Sequence, residues 1–132
     1  MGDPVVHFDI RSEHPEELWA FYHDVFGWVV HPDAERTFAL TDTRSPAGIG
    51  GGIGSSDEEG PGVTVYVEVP DIDASLLAIE NHGGKVVTPR TEGGPVVLAR
   101  FRDPHGTLIG LVESARVSGN GDIRSPWTKR QG

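Results

Sequence analysis

The sequence of 132 residues predicts an α+β fold built from two tandem β-α-β-β-β modules. A strand pattern followed by an amphipathic helix pattern occurs twice, and further strand patterns follow each helix. The glycines that end the two predicted helices, Gly27 and Gly84, are 57 positions apart, and the same shift takes His7 to Thr64, which is also early in a strand. The 18 glycines and 10 prolines favour many turns and short elements over a helical bundle.

The first module begins with an alternating strand pattern, VVHFDIR (5–11). Alternation predicts that His7, Asp9 and Arg11 share one face of this strand. The next segment, HPEELWAFYHDVFG, predicts a helix because its apolar residues recur at helical spacing, and Gly27 suits its C-terminal end. Three further strands are predicted at 28–31, 36–42 and 47–54.

The second module repeats this plan. The strand VTVYVEV alternates strictly, so that Thr64, Tyr66 and Glu68 share one face and four valines the other. The segment PDIDASLLAIENHGG predicts a helix with Asp71 or Asp73 as its N-cap. Three further strands are predicted at 85–89, 95–101 and 107–113.

A polar, acidic and glycine-rich stretch, SSDEEGPG, separates the two modules and predicts a linker. The end of the chain is polar and aperiodic, and we expect it to be mobile or draped over the surface. The predicted organisation is one domain at 1–113, with modules at 4–54 and 62–113, a linker at 55–61 and a tail at 114–132.

Composition argues against several classes of function. The formal net charge of −9 argues against nucleic acid and against anionic membrane surfaces as partners, because both repel an acidic protein. The absence of cysteine excludes disulfides and thiolate chemistry. The first residues lack the basic and apolar regions of a signal peptide, so we expect a cytoplasmic protein.

Several phrases resemble motifs of the vicinal oxygen chelate superfamily. They are VVHFDI leading to FYHDVFGW, then YVEVPDIDASLLAIENHGGKVV, and FRDPHGTLIGLVE near the end of the second module. The superfamily includes glyoxalase I, extradiol dioxygenases, bleomycin and fosfomycin resistance proteins, and methylmalonyl-CoA epimerase. With GIGGGI added, the chain is similar to a glyoxalase-like bacterial subgroup over residues 4–113. The resemblance implies modules that curl into a partial barrel with a shared cavity, and a homodimer.

The resemblance also implies where a metal ion would be bound in that cavity. The four ligand positions fall on His7, within 50–52, on Thr64 and on Gly110. Only the histidine is a good ligand, because glycine has no side chain and a threonine hydroxyl binds divalent metals poorly. We therefore expect no metal cofactor and open space at Gly110. The alternative is a Zn, Ni, Fe or Mn ion on His7 with unorthodox ligands such as Asp9, Glu68 or His105.

Candidate site residues follow from the strand faces and from the resemblance. We predict His7 as a general acid/base, assisted by Asp9 or Glu68. Two structural alternatives stay open: His7 as a hydrogen-bonded interior histidine, and Arg11 with Glu68 as an internal salt bridge. The predicted ligand-binding residues are Gly51, Thr64, Tyr66, Arg100 and Gly110.

Two classes of function compete at this point. One is an isomerase, lyase or glyoxalase-like hydrolase that acts on a small oxygenated metabolite without the usual metal. Its metal-dependent variant is a glyoxalase-like lyase, isomerase or dioxygenase that uses His7. The other class is a non-catalytic protein that sequesters an antibiotic-like small molecule, and a weaker third hypothesis is an interaction module.

Overall fold

The computed structural model describes residues 2–92, 94, 96–116 and 123–124. The predicted α+β fold and the order of elements in both modules are confirmed. The elements are β1 (Val5–Ser12), α1 (Pro15–Phe26), β2 (Val29–Pro32), β3 (Phe38–Asp42), β4 (Gly51–Ser55), β5 (Gly62–Val69), α2 (Ile72–Asn81), β6 (Lys85–Thr91), β7 (Leu98–Arg102), β8 (Leu108–Glu113), β9 (Ala115–Arg116) and β10 (Ile123–Arg124).

The internal repeat keeps the predicted spacing of 57 residues. The first strands of the two modules begin at positions 5 and 62 and end at positions 12 and 69. The helices begin at 15 and 72, and the last strands begin at 51 and 108. Positions related by this shift therefore have the same place in the two modules.

Strand topology is also the same in the two modules. In the first, the strand order is β2-β3-β4-β1, with β1 parallel to β4 and the other pairs antiparallel. In the second, the order is β5-β8-β7-β6, with β5 parallel to β8. The chain divides into two compact units, which are His7–Val65 (the first unit) and the residues on either side of it (the second unit). Thr64, near the start of β5, therefore belongs to the first unit.

The core of the first unit lies beneath α1. Glu16 and Glu17 occupy the first turn, and Gly27 ends the helix in the left-handed conformation at φ 75°. Trp19 is 5% exposed and packs with Ala39 and Ile53. Its indole nitrogen donates to the Ile53 carbonyl at 2.9 Å, which fixes the helix to β4 and satisfies the buried N–H.

The core of the second unit lies beneath α2, whose N-cap is Asp71. The buried residues of this core are Val69, Ile72, Leu76, Ala99 and Leu111. At the end of β8, Glu113 accepts a hydrogen bond from the Ile72 N–H at 3.0 Å and one from Arg90 at 2.7 Å. The hydrogen bonds from Arg90 and from the Ile72 N–H hold the pKa of the Glu113 carboxyl below its usual range. Glu113 thus joins β8 to the start of α2.

Several boundaries differ from those predicted; for example, the strand predicted at 95–101 begins at Leu98 and the one predicted at 85–89 ends at Thr91. The fourth strand begins at Gly51 rather than at 47, because residues 43–50 form a loop in which the Thr43 hydroxyl donates to the Ile49 carbonyl at 3.3 Å. Ser55 ends β4, so the linker spans 56–61. In the predicted tail, β9 pairs with β10, whereas the rest of 117–132 lies outside the described residues. No helix in the described ranges is long and apolar enough to cross a membrane.

Candidate functional site

His7 and Asp9 form a hydrogen-bonded pair on β1. Both side chains are on the strand face opposite Ile10, which packs with the core beneath α1. His7 is 2% exposed, and its Nε2 atom lies 2.9 Å from Asp9 Oδ1. The Asp9 side chain keeps 25% of its surface exposed. The Asp9 carboxylate fixes the orientation of the imidazole. Through Asp9, the buried imidazole is connected to the solvent-exposed surface.

The ring of Phe38 fills the space beside Asp9 where position 52 lacks a side chain. A Cβ atom at Gly52 would lie 2.3 Å from Phe38 Cζ and 2.9 Å from Asp9 Oδ1. A Cβ atom at Gly51 would instead point to the ring of Phe8, at 2.5 Å, on the other face of the strand. The position that shares a face with Asp9 is therefore Gly52, one residue after the predicted Gly51.

The hydroxyl of Thr64 is bound by a guanidinium. Thr64 is 1% exposed and accepts a hydrogen bond from Arg11 Nη1 at 2.5 Å. Arg11 Nε donates to the Gly60 carbonyl at 2.8 Å and lies 4.0 Å from the Asp57 carboxylate. Arg11 therefore connects β1 to the linker and to Thr64 on β5. It places a positive charge beside Thr64, one of the four metal-ligand positions that the resemblance implies.

Replacing Arg11 tests this connection. We expect Arg11→Met to lower the free energy of unfolding by about 2–4 kcal/mol, because it leaves the buried Thr64 hydroxyl and the Gly60 carbonyl without their charged donor. Arg36→Met is the matched control. Arg36 is exposed, pairs with Glu16 at 2.8 Å, and should change stability by less than about 1 kcal/mol. Urea unfolding of both variants measures the difference, and equal midpoints would contradict the assigned role.

The ring of Tyr66 fills the space at Gly110. The two residues are direct partners in the parallel pair of β5 and β8. A Cβ atom at Gly110 would lie 2.3 Å from both Cδ2 and Cε2 of Tyr66, which is 5% exposed. The expectation of open space at Gly110 is therefore corrected, since the phenol ring occupies it.

Arg100 and Glu68 lie on the same strand face as Tyr66. Arg100 is the partner of Gly110 in the antiparallel pair of β7 and β8, and its Nε donates to the Thr88 hydroxyl at 3.2 Å. Glu68 follows Tyr66 by two positions on β5, and its Oε2 atom is buried without a hydrogen-bond partner in the described part of the chain. Both side chains are partly exposed.

The residues present do not fit a divalent metal ion at the predicted positions. The described residues contain no group of three or more His, Asp or Glu side chains arranged to hold a metal. Aromatic rings fill the space at Gly52 and Gly110, and Thr64 already binds a cationic side chain. The other donor considered, His105, is exposed in the turn before β8.

His7 and Asp9, which the structure brings into contact, are named in the sequence analysis, whereas Phe38 is not. The sequence feature that could have indicated Phe38 is the pair Gly52 and Gly54. These glycines alternate along β4, so one face of that strand has no side chains at these two positions. A Cβ at either position would lie within 2.8 Å of the Phe38 ring. An aromatic residue on the neighbouring strand is a frequent complement to such glycines.

Comparison with known proteins places the chain in a family. The family model described as a glyoxalase-like domain matches residues 5–112, nearly the whole of the two modules. The chain belongs to this glyoxalase-like family. The predicted resemblance to the vicinal oxygen chelate superfamily is confirmed.

Individual relatives of this glyoxalase-like protein are distant. A glyoxylase-like domain-containing protein of Didymella fabae is 29% identical over 107 residues, which cover 74% of this chain and 84% of that protein. The methylmalonyl-CoA epimerase of Mycobacterium tuberculosis superposes with a TM-score of 0.59 at 23% identity, over 84% of this chain and 87% of that one. A glyoxalase/bleomycin resistance protein/dioxygenase superfamily member from Vibrio splendidus 12B01 superposes with a TM-score of 0.59 at 16% identity, over 85% of this chain and 98% of that one. These structures are similar in fold.

Proposed function

We propose that this glyoxalase-like protein catalyses proton transfer on a small oxygenated metabolite, with His7 as the acid/base group. The observation that carries the proposal is the hydrogen bond of 2.9 Å between Nε2 of the buried His7 and Oδ1 of the partly exposed Asp9. Histidine exchanges protons near neutral pH, and a carboxylate partner holds its ring in one orientation.

The reaction class is isomerisation or lyase chemistry that begins at a carbon next to a carbonyl group. The C–H bond breaks, the proton moves to the imidazole, and the electron pair moves to the carbonyl oxygen to form an enolate. Return of the proton to carbon completes an isomerisation. Asp9 positions the imidazole throughout this exchange, and no step requires a divalent metal ion.

The experiment follows proton exchange directly. Ligands are first selected by thermal shift from a panel of small 2-oxo and 2-hydroxy compounds, and each bound ligand is then incubated with the protein in D2O. We expect NMR to show replacement of hydrogen by deuterium at the carbon next to the carbonyl group. Ligands that bind but never exchange, and never turn over, would overturn the catalytic proposal.

A second function is supported by a different observation. The ring of Phe38 fills the position beside Gly52 and Asp9, and an aromatic wall of this kind suits the sequestration of a small apolar or antibiotic-like compound. In that case binding would be tight, and exchange in D2O would be absent for the wild type and for His7 variants alike.

A further inference from the structure

A row of paired residues crosses the second unit on the strand face turned away from α2. Tyr66 on β5 pairs with Gly110 on β8, Gly110 pairs with Arg100 on β7, and Arg100 pairs with Thr88 on β6. Paired residues in a sheet project to the same face. The α-carbons of Tyr66 and Arg100 are two strand spacings apart, about 10 Å, with only a glycine between them.

The missing side chain at Gly110 determines what this row can bind. The Tyr66 ring leans across the glycine toward β7, where it forms an apolar wall beside Arg100. The bond from Arg100 Nε to the Thr88 hydroxyl anchors the guanidinium on the opposite side of that wall. A planar guanidinium held in this way is suited to a carboxylate group.

Glu68, on the same strand face, calls for a hydrogen-bond donor in any ligand bound here. In the next row, Glu68 pairs with Val112, so its partner on β8 is apolar. The buried Oε2 atom of Glu68 lacks a hydrogen-bond partner among the described residues. A buried acceptor without a donor lowers the stability of the fold, because its lost contact with water is not compensated. A hydroxyl or ammonium group of a ligand could donate to it.

We infer that Arg100, Tyr66 and Glu68 form a binding subsite for a small acid that carries a hydroxyl or amino group next to its carboxylate. Arg100 binds the carboxylate, Glu68 accepts from the neighbouring hydroxyl or ammonium group, and the Tyr66 ring contacts the carbon chain. The subsite lies within the second unit, and the inference goes beyond the proposed function, which depends on His7 in the first unit.

Four matched probes test the subsite by NMR titration in the millimolar range. L-lactate and L-alanine have both groups, propionate lacks the donor, and propane-1,2-diol lacks the carboxylate. We expect lactate or alanine to bind the wild-type protein more tightly than either of the other two. Equal binding of all four probes, or binding of none, would overturn the inference.

Variants then assign the contacts. Arg100→Met should weaken lactate or alanine binding by roughly tenfold or more, because a charge-assisted pair is lost. Arg102→Met is the control, since Arg102 is on the same strand face and donates to the Gly106 carbonyl at 2.8 Å in a turn. Glu68→Gln should remove the preference for lactate or alanine over propionate. Unchanged binding in Arg100→Met would contradict the subsite.

Two further measurements keep the result interpretable. Arg100→Lys retains the charge and should retain part of the binding, which separates loss of the contact from loss of the fold. His7→Gln, a change in the first unit, should leave lactate or alanine binding in place. Absence of proton exchange in the wild-type protein on every ligand of the panel, while lactate or alanine still binds, would contradict only the proposed function. Binding that is insensitive to Arg100 while exchange persists would contradict only the subsite.

Discussion

Gly110→Ala is expected to lower the free energy of unfolding by about 1–3 kcal/mol, although alanine is among the smallest of substitutions. The added Cβ would lie 2.3 Å from two ring carbons of Tyr66, and that ring is 5% exposed and packed in place. Gly110→Glu should lower the free energy of unfolding further, because it adds a carboxylate to the same crowded position. This position therefore cannot accept the metal-binding glutamate that the family pattern implies while Tyr66 stays where it is.

A double-mutant cycle measures whether the ring causes the loss. In a Tyr66→Ala background, Gly110→Ala should cost much less, giving a coupling of about 1 kcal/mol or more. Gly48→Ala is the matched control, because its Cβ would meet the Thr43 hydroxyl oxygen at an ordinary 3.7 Å. Strict additivity in chemical denaturation would show that the Tyr66 ring does not occupy the space at Gly110.

His7→Gln is expected to reduce the rate of proton exchange on a bound ligand by roughly 10²–10⁴-fold while the ligand still binds. Glutamine keeps a polar group that can reach Asp9 but cannot carry the proton. Asp9→Asn should produce a smaller loss, since it removes the charged partner and leaves the imidazole.

The measurement is deuterium incorporation followed by NMR at saturating ligand. His14→Gln is the control, because His14 is exposed at the start of α1 and should not affect the rate. Circular dichroism of each variant verifies folding. A wild-type rate in His7→Gln would remove His7 from the reaction, and a loss in His14→Gln would show that the assay reports something other than the site.

The elements of the fold could be predicted because each depends on a local pattern. Helical spacing and Gly27 defined α1, and strict alternation in β5 placed Thr64, Tyr66 and Glu68 on one face. The same alternation in β1 placed His7 beside Asp9, and the structure adds the hydrogen bond between them. Candidate residues of this kind are accessible from one strand at a time.

Which side chains fill the space beside the glycines depends on pairing between distant segments, and this could not be predicted from the sequence. In GIGGGIG the residues carry too little variation in size to fix the register, and a shift of one residue exchanges the two faces of a strand. Gly51 and Gly52 were therefore interchangeable in the sequence. Likewise, Tyr66 meets Gly110 only through the parallel pairing of β5 with β8, whose register is set by tertiary packing. A glycine in the sequence does not reveal whether its space is open or filled.

The central claim is that the chain's own side chains fill the positions where a metal would be bound, and that His7 acts with Asp9 instead. Elemental analysis after equilibrium dialysis against Zn, Ni, Fe and Mn salts tests it most directly, on the wild type and on His7→Gln. We expect no metal bound in near-stoichiometric amount and no difference between the two proteins. About one equivalent bound by the wild type and lost in His7→Gln would show a metal site on His7 and contradict the account.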